Sequence, residues 1–208
     1  MENTSNQIEL QDTFNYNKLR EFSRKASIVV MAIGGLVLLG WWLNIPVFKS
    51  IIPGLSMMKP NTAIGFICAG ASLWLWHQDL EIKTQKNRSP GNVNDINQDD
   101  YILPNPKLFS QIFAGIVVLI GLLTLLEYIT GVNLGIDDIL FKEKLAKSLI
   151  PFPGRMGANT ALTFLCLGSS LLILIDNYIF KITLAQILTI TAFFIAFIGL
   201  LGYVYSLS

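Results

Sequence analysis

Apolar residues gather in five runs along the chain, and polar and charged residues fill the segments between them. The runs cover residues 26–43, 61–76, 108–129, 158–175 and 184–205. Each is about long enough to cross a hydrocarbon core of roughly 30 Å, the second and fourth only barely. Backbone groups in lipid must find hydrogen-bond partners within their own segment, so the pattern predicts five transmembrane helices.

Two stretches of the chain have nearly the same sequence. Residues 58–73 read MKPNTAIGFICAGASL, and residues 156–171 read MGANTALTFLCLGSSL, aligned without a gap. Each follows a longer apolar run and a loop with a Pro-Gly pair, so the repeated unit consists of two helices. A unit of two spans returns to its starting side of the membrane. The repeats are therefore expected to be parallel rather than inverted.

The last apolar run has the sequence of a third unit's first helix. FIGLLGYVYSL at 197–207 aligns with LIGLLTLLEYI at 119–129, and both contain Ile-Gly-Leu-Leu. We therefore predict that this chain is the front part of a longer protein and that its third repeat is truncated. The predicted organisation is a polar disordered tail (1–25), a first two-helix membrane repeat (26–76), a polar cytoplasmic linker (77–107), a second two-helix membrane repeat (108–175) and the first helix of an incomplete third repeat (184–208).

The two loops within the repeats carry apolar residues of their own. In the second loop, apolar and charged residues between 136 and 149 alternate roughly at helical spacing, which predicts a short helix at the membrane interface. Val47, Phe48, Ile51 and Ile52 favour a shorter helix of the same kind in the first loop.

Composition and charge agree with a membrane protein. Hydrophobic residues make up 52% of the 208 residues, charged residues only 14%, and the mean hydropathy is +0.55. A net charge of +1, with charges confined between the runs, offers no nucleic-acid surface. Nine of the fifteen Lys and Arg residues lie in the tail, the linker and the 176–183 turn, which places the N-terminus in the cytoplasm.

Small and polar side chains form one stripe on each repeated helix, because positions i, i+4, i+7 and i+11 share a face. The stripes consist of Asn61, Gly65, Cys68 and Ser72 in the first copy, and of Asn159, Thr163, Cys166 and Ser170 in the second. Thr62 and Thr160 follow the two asparagines. Small residues let helices approach closely in a membrane, so the stripes predict a packing face between the units. The alternative is a ligand-binding groove that senses a signal.

Three further residue types are candidates for function. Glu127 is an acid inside a strong apolar run, and its position beside Tyr128 near the end of that run favours the interface over a buried proton or cation site. Cys68 and Cys166 are expected to be small core residues, with a thiol switch or ligand role as the alternative. His77 is expected to be an interfacial polar tip rather than a ligand.

The sequence shows none of the common catalytic patterns. There is no pair of carboxylates, no Ser-His-Asp order, no phosphate-binding glycine loop and no metal-ligand spacing. A single histidine also leaves no second ligand for a bis-His haem. We therefore expect this chain to contain no catalytic residue, cofactor or metal.

LLTLLEYITGVNLGIDDILF, followed by PGRMGANTALTFLCLGSSLLIL, resembles the multi-span N-terminal sensor region of bacterial membrane-bound histidine kinases and related PAS or GGDEF signalling proteins. The resemblance runs from about Ala26 to Tyr205 and is strongest from Phe109 to Leu174. It implies a multi-pass signal-input module in the bacterial inner (plasma) membrane, within a homodimeric parent protein that also carries a kinase or cyclase domain.

This chain departs from the family pattern because it ends before an expected sixth helix and has no cytoplasmic signalling domain. The motif also identifies no ligand. The alternative function is a small repeat-built transporter or channel subunit, with the polar stripes and Glu127 lining a pathway. A purely structural or assembly role is a third hypothesis, since every polar residue above also has a packing explanation.

Overall fold

The computed structural model describes the backbone of residues 2–50, 57–88, 105–135, 154–175 and 179–206. Within these ranges the chain is helical and contains no strand, so the all-α fold class is confirmed. The helices are α1 (Glu2–Leu43), α2 (Pro46–Lys49), α3 (Pro60–Arg88), α4 (Pro106–Thr130), α5 (Ala158–Leu174) and α6 (Ile179–Ser206).

Three of the described helices are long and apolar enough to cross a membrane: α1 from Asn17 to Leu43, α4 over its whole length, and α6 from Lys181 to Gly202. These helices indicate a membrane protein. The number differs from the five spans predicted by sequence. α5 is apolar but has only 17 residues, and α3 has 29 residues whose second half is polar.

Two segments predicted to be irregular are helical instead. α1 begins at Glu2 and so runs through the predicted disordered tail, while α3 continues past Trp76 to Arg88 in the predicted linker. The α3 extension is rich in Gln, Glu, Lys and Leu, which propagate a helix readily once an apolar segment has nucleated it. Residues 2–17 are richer in Asn, Ser and Thr, so their helix depends on continuation from the apolar segment that follows. In α3, an ion pair of 2.6 Å between Asp79 and Lys83, one turn apart, adds support. Residues 89–104 lie outside the described ranges.

The loops match the sequence predictions only in part. α2 covers Val47 and Phe48 of the first predicted interfacial helix. Ile51, Ile52 and the whole second predicted helix at 136–149 fall outside the described residues. α6 begins at Ile179, ahead of its predicted start at 184, because the residues at 179–183 (IFKIT) are mostly apolar and continue the run toward the N-terminus.

Successive helices pack side by side, with α1 on α3, α3 on α4, α4 on α5 and α5 on α6. Glycines set the close approach within two of these pairs. A Cβ added at Gly34 in α1 would lie 2.6 Å from the Ala63 carbonyl oxygen, and one added at Gly121 in α4 would lie 2.6 Å from that of Ala161. Ala63 and Ala161 hold the same position in the two sequence copies. In both the α1–α3 and the α4–α5 contact, a glycine of one helix therefore packs against the backbone of an equivalent alanine; we call this a glycine-on-alanine contact.

The same two pairs also share the contact at the ends of α1 and α4. The Trp41 indole N–H donates to the Met58 carbonyl over 2.9 Å, and the Tyr128 hydroxyl donates to the Met156 carbonyl over 3.0 Å. Met58 and Met156 are again equivalent in the repeated sequence. These bonds join the last turn of one helix to the residues just before the next, and they define what we call the pocket end of the bundle.

Candidate functional site

The first predicted stripe, on α3, faces other helices. Asn61, Cys68 and Ser72 are buried, and the Phe164 ring of α5 fills the space beside Gly65. Phe164 also meets Phe66 edge to face, with ring centroids 5.6 Å apart. Bulkier side chains on this stripe would separate α3 from α5. Gly65 therefore lies at the α3–α5 contact.

The second stripe, on α5, is placed differently. Asn159 is exposed, Thr163 and Cys166 are half-buried, and only Ser170 is buried. The Thr163 hydroxyl donates to the Asn159 carbonyl of its own helix over 2.8 Å. The structure thus does not bring the two stripes together as one symmetric seam. Cys68 and Cys166 are both free thiols.

Serines at the ends of both stripes join each helix pair to the next helix. The Ser72 hydroxyl donates to the Ser110 carbonyl over 2.9 Å, and the Ser110 hydroxyl donates to the Ser72 carbonyl over 2.8 Å. Ser170, the repeat equivalent of Ser72, donates to the Ala185 carbonyl of α6 over 2.8 Å. These interhelical bonds replace the hydrogen bonds that water cannot supply in an apolar interior.

Ser110→Ala is expected to lower the free energy of unfolding by about 1 kcal/mol, because it removes the buried hydroxyl and its interhelical bond to the Ser72 carbonyl. Unfolding in mixed micelles, followed by circular dichroism, measures the change. Thr163→Ala is the matched control, since that hydroxyl bonds only within its own helix, and it is expected to change stability by less than half as much. Equal effects would show that the interhelical bond does not contribute.

A cavity of about 470 Å³ opens at the pocket end, where α3 and α5 begin. We call it the Lys49 pocket. Its apolar lining includes Ile33, Val37, Phe48, Met57, Met58, Phe66 and Met156, and its polar lining includes Lys49, Ser50, Lys59, Thr62 and Thr160. Thr62 and Thr160 were predicted as site residues, and the structure brings them to one cavity; Asn61 and Asn159 are not among its lining residues.

Lys49 gives the pocket a positive charge. Its side chain is only 6% exposed, and the ammonium donates to the Asn44 amide oxygen over 2.7 Å and lies 4.6 Å from the centre of a Trp41 ring. The aromatic face favours a cation over a neutral group. Lys59 adds a second positive charge, and none of the described residues that line the cavity is an Asp or Glu. The described lining residues therefore carry only positive charge.

A buried ion pair lies at the same end of the bundle. Glu127, in the last turn of α4, is 0% exposed, and its Oε2 is 3.3 Å from Nε of Arg155, whose side chain is 9% exposed. The Leu134 backbone N–H donates to Glu127 Oε1 over 2.7 Å. Glu127 is thus near the helix end, and its carboxylate is buried among protein groups there. Arg155 and the Leu134 N–H stabilise the carboxylate there.

At the opposite end, which we call the His77 end, α1 and α3 are joined by polar contacts. His77 Nε2 lies 2.9 Å from the Ser23 hydroxyl oxygen, and the Arg20 guanidinium donates to the His77 carbonyl over 3.2 Å. Glu81 pairs with Arg20 at 3.4 Å and with Arg24 at 3.3 Å. His77 is only 3% exposed, so it is a buried contact and not the predicted interfacial tip. Burial, with a smaller effect of the Arg20 charge, lowers its pKa.

This pKa shift predicts a loss of stability in mild acid. The unfolded chain protonates His77 below about pH 6.5, whereas the folded chain resists protonation until a lower pH, so unfolding becomes easier as the pH falls through that window. Melting temperatures at pH 7.5 and 5.5 measure the effect. His77→Gln is expected to show a smaller drop between the two values than the natural chain does. An equal drop in both proteins would mean that other groups cause the pH dependence.

Sequence reasoning missed the importance of Lys49, Lys59 and Arg155. In the sequence, all three lie in the loops between apolar runs and carry no motif. The available signal was local: Lys49 lies between Phe48 and Ser50 in an apolar loop, and Arg155 directly follows the Pro-Gly pair. Such a position does not reveal which distant residues will surround it.

Among the described residues, no group of three or more His, Cys, Asp and Glu side chains is placed to hold a metal ion. Comparison with protein-family models, with functionally characterised proteins and with solved structures gives no match.

Proposed function

We propose that the chain is a membrane-embedded signal-input module, in which the Lys49 pocket detects a ligand and the α1–α3 pair carries its effect to the other side of the membrane. One observation carries the proposal: the pocket is lined by residues of both helix pairs. Val37 and Thr62 come from the α1–α3 pair, and Met156 and Thr160 come from the α4–α5 region. A bound ligand would therefore contact both helix pairs.

The contacts of α1 with α3 support transmission along the pair. They extend from Trp41 and Met58 at the pocket end to Arg20 and Glu81 at the His77 end. A small shift of one helix at the pocket is therefore expected to reach the other end, because packed helices move as rigid elements by about 1–2 Å. α3 also continues as a helix to Arg88, past its apolar part.

For orientation, we propose that the His77 end faces the cytoplasm of a bacterial cell and the pocket end faces outward from the inner membrane. The excess of Lys and Arg in the N-terminal segment, the 77–107 segment and the 176–183 turn supports this arrangement. Ligands would then reach the pocket from outside the cell or from the outer leaflet.

We further propose five membrane helices arranged as parallel two-helix repeats, with α6 beginning a third. The shared glycine-on-alanine contacts at Gly34 and Gly121 support the first two units. Gly199 in α6 aligns with Gly121 through the shared Ile-Gly-Leu-Leu sequence, and no described atom lies within 4 Å of a Cβ built there. A helix like α5 packed at Gly199 would complete the third unit.

The sequence resemblance extends the proposal to the parent protein. We infer that the module is the N-terminal part of a homodimeric sensor histidine kinase or of a related signalling protein. The kinase or cyclase chemistry would then belong to residues outside this chain, and this module would supply the stimulus.

A larger side chain in the pocket tests the signalling role without a ligand. Spin labels at Lys18→Cys and Thr84→Cys, in a Cys68→Ser and Cys166→Ser background, report the distance between α1 and α3 at the His77 end. Thr160→Phe is expected to shift that distance by about 1–2 Å in lipid nanodiscs. Leu162→Phe, on an exposed face of the same helix, is the matched control and is expected to leave it unchanged. An unchanged distance in the folded Thr160→Phe protein contradicts the proposal.

A further inference from the structure

We propose that the Lys49 pocket binds a single-chain amphiphile with an anionic headgroup. The headgroup contacts Lys49 and Lys59, and the hydrocarbon chain lies between the phenylalanine and methionine side chains of the lining. This inference names the ligand class of the site in the proposed function. It rests on the proposed function for the effect of binding on the helices, whereas binding itself can be tested separately.

The size of the cavity sets the size of the ligand. A volume of about 470 Å³ falls in the range of roughly 300–1,000 Å³ that small-molecule sites occupy. At about 30 Å³ for each water molecule, it corresponds to on the order of fifteen non-hydrogen atoms. One alkyl chain of roughly twelve carbons with a small headgroup fits this volume, whereas a two-chain phospholipid does not.

The walls of the cavity match a hydrocarbon chain. Three methionines line the pocket, together with Phe48 and Phe66. Methionine side chains are flexible and polarisable, so they pack against chains of variable length and shape. Phe48 and Met57 line the cavity and are also exposed, so an alkyl chain could enter past apolar side chains.

The charges in the pocket select the headgroup. Lys49 and Lys59 contribute two positive charges, and the described lining residues contribute no carboxylate. α3 and α5 both begin beside the cavity, and the N-terminal end of a helix carries partial positive charge. The hydroxyls of Thr62 and Thr160 add hydrogen-bond donors. A phosphate or carboxylate is favoured here, and a quaternary ammonium is repelled.

Binding of radiolabelled dodecyl phosphate to the full chain in phosphatidylcholine nanodiscs tests this inference, with empty nanodiscs subtracted. We expect saturable binding of one molecule per chain. Unlabelled dodecanoate is expected to compete, and dodecyltrimethylammonium is not. Unsaturable uptake equal to that of empty nanodiscs, or equal competition by the cationic amphiphile, would overturn the inference.

Two variants test separately how the charge and the volume of the pocket contribute to binding. Lys59→Gln is expected to weaken binding about tenfold, whereas Lys107→Gln, which removes a charge outside the pocket, is expected to leave it unchanged. Thr160→Phe places an aromatic ring in part of the cavity and is expected to weaken binding about tenfold, because less room remains for the alkyl chain. Binding that is unchanged in both Lys59→Gln and Thr160→Phe would overturn the inference.

Failure of this inference and failure of the proposed function give different results. Saturable binding with no change in the distance between the labels at positions 18 and 84 supports the ligand class and contradicts the signalling role. A change of that distance in the Thr160→Phe protein, when the natural chain binds no amphiphile, supports the signalling role and contradicts the ligand class.

Discussion

Arg155→Gln is expected to lower the free energy of unfolding by about 3–5 kcal/mol, because it leaves the Glu127 carboxylate buried without its cation. The Leu134 N–H would remain as a hydrogen-bond donor, but one neutral donor does not replace a full charge at 3.3 Å. Reversible unfolding in mixed micelles measures the loss. Asp79→Asn, which breaks a partly exposed pair on α3, is the control and is expected to cost no more than about 1 kcal/mol.

The double variant Glu127→Gln/Arg155→Met is expected to recover most of that loss, since it removes both charges together. The first helix pair already has uncharged residues at the two equivalent positions. Counted from the equivalent glycine and methionine contacts, Gly40 and Met57 stand where the second pair has Glu127 and Arg155. A double variant as unstable as Arg155→Gln would show that the two residues stabilise the fold separately and not as a pair.

Gly121→Leu is expected to cost about 3 kcal/mol, because a Cβ at this position would already lie 2.6 Å from the Ala161 backbone oxygen and the helices would have to move apart. Gly115→Leu is the matched control on the same helix. No described atom lies within 4 Å of a Cβ at Gly115, and leucine favours a helix over glycine by up to about 1 kcal/mol, so this variant is expected to be neutral or stabilising.

The same leucine substitution can be made in α6. Gly199→Leu is expected to behave like Gly115→Leu in this chain, because no described atom lies within 4 Å of a Cβ built there. A cost for Gly115→Leu equal to that of Gly121→Leu would contradict the explanation, because the effect would then come from the loss of glycine and not from the α4–α5 contact.

Much of the fold followed from the order of apolar and polar residues. The runs at 108–129, 158–175 and 184–205 correspond closely to α4, α5 and α6. The repeated sequences placed Ala63 and Ala161 at equivalent positions, and both lie against a glycine. Helical ends were harder to predict. The polar extension of α3 to Arg88 has no apolar period, so its helix depends on propensity and on continuation from the apolar segment before it.

The candidate site was less accessible from sequence. Residue spacing placed Asn61, Cys68 and Ser72 on one face of α3, and all three are buried. The same spacing places Asn159 and Thr163 on one face of α5, but Asn159 is exposed, because spacing does not say which face meets a neighbour. The partners of Glu127 and Lys49 come from other segments. Arg155 is 28 positions from Glu127, and the Lys49 pocket combines residues between Ile33 and Thr160. Such groupings depend on the packing of helices, which no local pattern specifies.

The most direct test of the account is the distance between spin labels at Lys18→Cys and Thr84→Cys, measured in nanodiscs while dodecyl phosphate is titrated. The account predicts a shift of about 1–2 Å that saturates together with amphiphile binding, because occupation of the Lys49 pocket moves α3 against α1. A distance distribution that stays unchanged when the pocket is fully occupied would contradict the claim that this pocket is the input of a signal.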